Sequence, residues 1–263
     1  MLKERLYVIK IGGNIIDDEQ RLGAFLASYA SLNGKKILIH GGGKLATQLA
    51  TTLQIPQQMV DGRRITDAET LRVVTMVYAG YINKNIVASL QQLGSNAIGL
   101  CGADANLIRA QKRVHETIDF GFVGDVQQVN DAFLQTLLQQ NISVVIAPIT
   151  HNGEGQLLNT NADTIAQEIA TAMACYYQVS LIYSFEKTGV LLDVNDESSV
   201  IPQLTPSLYQ QYRKEEKIFA GMIPKLDNAF RAIASGVHNV TIGKAEELGK
   251  LVSGQTGTTL THD

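Results

Sequence analysis

Six short apolar runs, LYVIKI, KKILIH, SNAIGL, SVVIAPI, QVSLIYS and NVTIG, punctuate this 263-residue chain, with longer amphipathic stretches between them. Runs of this length, rich in valine and isoleucine, read as strands buried on both faces, and such strands belong to parallel sheets covered by crossover helices. The expectation is an α/β fold, a three-layer α/β/α sandwich around a mainly parallel central sheet. A new strand at QVSLIYSF opens what reads as a second lobe, dividing the chain into 1–176 and 177–263. No linker, repeat or low-complexity tract intervenes, so the lobes are expected to pack together with a cleft between them.

The spacing of Leu22, Phe25, Leu26 and Tyr29 predicts a helix over Glu19 to Ser31. The segment TDAETLRVVTMVYAGYINKNIVASLQQLG predicts one long helix opened by a capping box at TDAE. A helix of this length either spans the domain or makes a subunit interface; its apolar stripe, Val73, Met76, Val77 and Tyr81, serves either role, and a homodimer joined through it is expected. RVHETIDFGFVGDVQQV alternates and carries two glycines, which predicts a hairpin antiparallel to the main sheet and lying over a ligand.

A formal net charge of −3 gives no electrostatic case for nucleic acid or an anionic membrane as partner. No apolar run approaches the roughly 20 residues that a membrane span needs, and MLKERLYVIK has no signal-peptide core, so a cytoplasmic location is expected. Cys101 and Cys175 lack metal or redox spacing and read as small buried residues.

Chemistry concentrates where strands meet glycines. In YVIKIGGN, Lys10 sits inside an apolar strand, where its ammonium needs an anionic partner, and Gly12 and Gly13 follow at the strand end. ILIHGGGK repeats the pattern, with Gly41, Gly42 and Gly43 leading into a helix whose first N–H groups form an anion site. Neither GxxxxGK[ST] nor GxGxxG is met. DGRRIT supplies Arg63 and Arg64, suited to gripping carboxylate or phosphate. LLNTNADT places Asn159, Asn161 and Asp163 before a helix, more than one N-cap needs. GMIPK puts Lys225 in the first turn of another helix, against the helix dipole. Two lysines, two glycine loops, an arginine, an asparagine and one aspartate, with no Ser/His/Asp set or paired acids, suit phosphoryl transfer.

KIGGN, HGGGK, RRITDAET, GFVGDV, NTNADT and GMIPK, in this order over essentially the whole chain, resemble the motifs of the amino acid kinase family. The Arg-x-Thr and Asn-x-Asn-Ala-Asp pair resembles its acylglutamate branch in particular. The resemblance implies ATP-dependent phosphorylation of the side-chain carboxylate of N-acetyl-L-glutamate in arginine biosynthesis, with Mg²⁺ accompanying the nucleotide. It implies that Lys10 contacts the transferred phosphoryl group, that Lys225 serves the β-phosphate side, and that Asp163 orients both. Gly12, Gly13, Gly42 and Gly43 would donate N–H groups to phosphoryl oxygens, Gly42 and Gly43 also facing the acyl substrate. Arg64 and Asn159 would hold the substrate's α-carboxylate and amide. Two other readings are a kinase of another small acid and a non-catalytic amino-acid sensor.

Two departures from the family pattern stand out. YSFEKTGVL carries Glu186 and Lys187 where the family has an aspartate, so base contacts are unassigned and the metal is expected on phosphates and water, with no protein ligand. Arg63 replaces the aliphatic residue that lines the acyl methyl pocket. Its side chain either turns to solvent or meets a carboxylate on the acyl group, as in N-succinyl-L-glutamate.

Overall fold

The computed structural model describes residues 3–60, 63–218 and 222–263. Its strands are β1 (Arg5–Ile11), β2 (Lys35–His40), β3 (Gln58–Val60), β4 (Arg63–Ile65), β5 (Ala97–Leu100), β6 (Ile108–Lys112), β7 (Gly124–Val129), β8 (Ser143–Ile146), β9 (Ile149–His151), β10 (Leu157–Asn159), β11 (Gln178–Phe185), β12 (Gln203–Leu204), β13 (Asn239–Lys244) and β14 (Thr258–Leu260). The helices are α1 (Gly13–Ile16), α2 (Glu19–Ser31), α3 (Gly43–Thr52), α4 (Ala68–Thr75), α5 (Asn83–Gln92), α6 (Asp131–Gln139), α7 (Ala162–Met173), α8 (Pro206–Lys214), α9 (Ile223–Ala234) and α10 (Leu248–Val252).

Eight strands form the main sheet in the order β12-β14-β13-β11-β1-β2-β8-β5. The six from β13 to β5 run parallel, and β14 turns antiparallel to β13. Alternation along each strand feeds two separate cores. Leu6 and Val8 pack with Leu134, Ile165, Ile169 and Leu226 from α6, α7 and α9 on one face. Tyr7, Ile9 and Ile11 pack with Phe25, Leu26, Ala46 and Val74 from α2, α3 and α4 on the other. The sandwich therefore has the three layers expected, and Lys10, two residues beyond Val8, faces the α7 side. β11, the first strand after the 176/177 boundary, pairs with β1 over all seven of its residues, so one sheet runs through both parts of the chain.

The long helix departs from the expectation of a single α-helix. Met76–Ile82 is a π-helical turn between α4 and α5. A π-turn brings residues five apart onto one face, so the register of a 3.6-residue stripe is lost there. Val73 and Val77 are buried within the chain together with Tyr78 and Ile82, whereas Met76 and Tyr81 of the same expected stripe are exposed and stay available to an interface. The N-cap is Asp67, which accepts from the Thr70 N–H at 2.7 Å, while Thr66 bridges to Gly121. The expected hairpin also begins earlier: β6 and β7 pair antiparallel, with 113–123 connecting them, in a four-stranded sheet of order β10-β9-β6-β7. Cys175 is exposed and Cys101 half-buried, against the expectation of two buried cysteines.

Candidate active site

β1 and β2 lie side by side with Ile11 opposite His40, so both glycine loops emerge at the same C-terminal edge of the sheet. Ligands of open α/β sheets bind at that edge. Gly42 has φ 144°, and a Cβ there would stand 2.2 Å from Ile82 Cδ1, so only glycine fits. No side chain caps the N-terminus of α3, and its first turn carries no acid, which leaves its N–H groups for an anion. The N-terminus of α7 differs: Asn161 accepts from the N–H groups of Asp163 and Thr164 at 2.9 and 3.1 Å. That frees the Asp163 carboxylate, which meets Lys10 Nζ at 2.7 Å.

Lys225 joins them from the first turn of α9. Its Nζ lies 4.1 Å from the centroid of the Phe185 ring, and Lys10 Nζ lies 5.6 Å from the same centroid. Desolvation lowers the Lys225 pKa, Asp163 opposes this and Lys10 adds to it. Two ammonium groups therefore lie over one aromatic ring, and Asp163, paired with Lys10, also attracts Lys225, which leaves a surplus of positive charge suited to an incoming polyanion. Gly221 of the GMIPK motif lies outside the described residues.

Two cavities open on either side of this cluster. Gly41, Gly42, Gly43, Arg63, Arg64, Tyr78, Arg113 and Asn159 line the first. Gly12, Gly13, Asn14, Phe185, Lys225 and the apolar side chains Leu191, Val194, Met222 and Ile242 line the second. Arg64 is buried and fixed by Gln57, by the Gly43 carbonyl at 2.9 Å and by Thr47 Oγ1 at 2.8 Å. Three of its five N–H donors are thereby used, and two remain. Asn159 Nδ2 donates to Thr66 Oγ1 at 3.0 Å. Arg63 is exposed on the rim, with no ion pair among the described residues. Arg113, paired with Asp125, brings the β6–β7 connection to the first cavity, although this hairpin belongs to the small sheet and not, as expected, to the main one.

The structure thus gathers Lys10, Asp163 and Lys225 around Phe185, and Arg64, Asn159, Gly42 and Gly43 in one cavity. Three further residues had escaped the sequence reading. Tyr78 is buried beside Arg64, and burial raises its pKa, so its hydroxyl stays a neutral donor at pH 7. Phe185 read as one more apolar strand residue. Asn14 donates to Glu186 and accepts from Lys44 at 3.4 Å, closing the first glycine loop. Its place directly after KIGG was the one available signal.

The family model described as the amino acid kinase family matches residues 5–244. Acetylglutamate kinase from Phocaeicola vulgatus is 54% identical over 247 residues, 94% of this chain and 96% of that one. Acetylglutamate kinase from Cytophaga hutchinsonii is 54% identical over 251 residues, 95% of each chain. Among solved structures, carbamate kinase from Giardia lamblia bound to AMP-PNP superposes with a TM-score of 0.74 at 12% identity, covering 99% of both chains, a likeness of fold.

Proposed function

The chain belongs to the amino acid kinase family, and from that membership we propose its reaction: ATP-dependent phosphorylation of the side-chain carboxylate of N-acetyl-L-glutamate, on the route to arginine. The observation that carries this reading is the position of Lys10, Asp163 and Lys225 between a cavity walled by Arg64 and Asn159 and a largely apolar one. The acylglutamate occupies the first cavity, its α-carboxylate on Arg64 and its amide near Asn159. ATP occupies the second, with its phosphates toward Gly12, Gly13 and Lys225. The part up to residue 176 serves the acyl substrate, and 177–263 serves the nucleotide.

The attacking carboxylate is already ionised at pH 7, so no general base is required. One of its oxygens forms the new P–O bond as the bond to the ADP oxygen breaks. Lys10 and the N–H groups of Gly42 and Gly43 hold the transferred phosphoryl oxygens, and Lys225 offsets the charge that develops on the departing β-phosphate. Asp163 keeps Lys10 aimed. Among the described residues no three His, Cys, Asp or Glu side chains cluster to hold a metal, and Asp163 and Glu186 are engaged by Lys10 and Asn14. We propose that Mg²⁺ comes with the nucleotide, carried by phosphate oxygens and water, where it would neutralise phosphate charge.

No described helix is long and apolar enough to cross a membrane. The biosynthetic reaction proposed for the chain implies a cytoplasmic location. The enzyme acts as a homodimer joined through the long helix, whose exposed Met76 and Tyr81 supply an apolar face; light scattering should give twice the 28.6 kDa chain mass.

Hydroxamate trapping of the acyl phosphate tests the reaction against N-acetylglutamate, N-succinylglutamate, aspartate and carbamate. Turnover is expected to favour the acylglutamates over the two other acids by about a hundredfold or more, since those leave the pocket donors unpaired. Equal turnover on aspartate would refute the assignment. The names of the relatives support the acetyl substrate, and Arg63 on the rim sets a specific check on acyl chain length. On Arg63→Leu, kcat/KM for N-succinylglutamate should fall about tenfold while that for N-acetylglutamate stays within about twofold. A common change in both would show that Arg63 does not reach the acyl group.

A further inference from the structure

His40 ends β2 directly before the three glycines and has no exposed surface. The reaction proposed above does not use it, yet a chain of contacts fixes its proton. Lys84 Nζ, which can only donate, reaches Asn83 Oδ1 at 3.0 Å and the Gly99 carbonyl at 2.7 Å. Asn83 must therefore present its Nδ2, which lies 3.1 Å from the Val145 carbonyl and 3.3 Å from His40 Nε2. Nε2 is left as an acceptor, so the ring proton sits on Nδ1, which donates to the Gly41 carbonyl at 2.8 Å. Burial pulls the His40 pKa down to about 4, the Gly41 carbonyl raises it and Lys84 lowers it, so the ring is neutral at pH 7.

The Gly41 carbonyl and the Gly42 N–H belong to one trans peptide unit and point in opposite directions. A donor that pins the carbonyl inward turns the Gly42 N–H outward, and Gly42 lines the first cavity. Asn83 follows the π-turn, which aligns it with Tyr78 five residues earlier, and the Tyr78 ring lies against Gly42. We propose that His40, held by Asn83 and Lys84, is a positioning residue that aims the Gly42 N–H into the cleft. The inference rests on the proposed reaction only for its kinetic readout.

Histidine-labelled ¹⁵N NMR of the full chain is the first test. A neutral ring protonated at Nδ1 from pH 5 to 8 is expected; an Nε2-protonated or charged ring at pH 7 would overturn the proposal. The second test compares His40→Asn, whose Nδ2 stands where Nδ1 was, with His40→Gln, which loses that donor. His40→Gln should lose about tenfold to a hundredfold in kcat with both KM values within about threefold, and His40→Asn should retain kcat within about fivefold. The Gly42 amide resonance should move in the Gln variant and stay in the Asn variant, a readout independent of turnover. Equal losses of Tm accompanied by equal kcat, or an unmoved Gly42 resonance in both, would reduce His40 to a packing residue.

Discussion

Replacing Lys225 by alanine is expected to lower kcat by about three orders of magnitude while leaving the Tm of the ligand-free protein unchanged or higher. The two effects have one cause. Desolvation and the neighbouring Lys10 hold the Lys225 pKa below its ordinary value of 10.5 despite Asp163. Between that lowered pKa and 10.5 the unfolded chain binds more protons than the folded one, so stability rises with pH through this window. At neutral pH the cost of the charged lysine is fully present, and alanine removes it. Lys10→Ala should lose a similar share of kcat but also lower Tm, because it strips Asp163 of its 2.7 Å partner. A shared drop in Tm for both variants would show that Lys225 has a structural partner instead. The pH profile gives a further check: the alkaline limb of kcat/KM for ATP should lie below pH 10.5 in the wild type and move up in Lys225→Arg.

Arg64→Lys should raise KM for the acylglutamate by about thirtyfold to a hundredfold with kcat within about threefold, the pattern expected for binding lost equally from ground and transition states. Lysine keeps the charge but not the planar fork that meets Gln57, Gly43 and Thr47 and still has two N–H groups free. Initial-rate kinetics at saturating ATP decide it. A fall in kcat with KM unchanged would place the α-carboxylate elsewhere and move Arg64 to the phosphoryl group.

Local signals carried much of the fold. The apolar runs ending in glycine located β1 and β2 and the shared edge of their loops, and α2 begins and ends at the residues its periodicity indicated. Four features were not legible, each for a physical reason. The π-turn has no residue signature, so a stripe extrapolated through it at helical spacing joined the buried Val73 and Val77 to the exposed Met76 and Tyr81 and missed Tyr78 and Ile82, which turn inward. β9 and β10 are three residues each, too short for alternation to register. Thr66 and Asp67 both make good caps, and the choice between them was made by the Thr66 bridge to Gly121, a distant contact. Phe185 looks like any strand aromatic until two lysines from other parts of the chain are placed over its ring. Lys10, Asp163 and Lys225 came into view through motifs, since their meeting depends on topology alone.

The pairing of β1 with β11 has a mechanical corollary. Lys10 sits opposite Tyr183, and the backbone bonds on both sides of its strand tie the Lys10–Asp163 pair into the middle of the sheet. Swinging one half of the chain about 176/177 would shear that seam, each broken bond costing about 1 kcal/mol. Any opening that admits the acylglutamate to the first cavity is therefore expected outside the seam, at the β6–β7 connection that brings Arg113 and Val123 to that cavity. On that reading the seam is a fixed anvil, and substitutions in the β6–β7 connection are expected to alter KM for the acylglutamate while KM for ATP is unchanged.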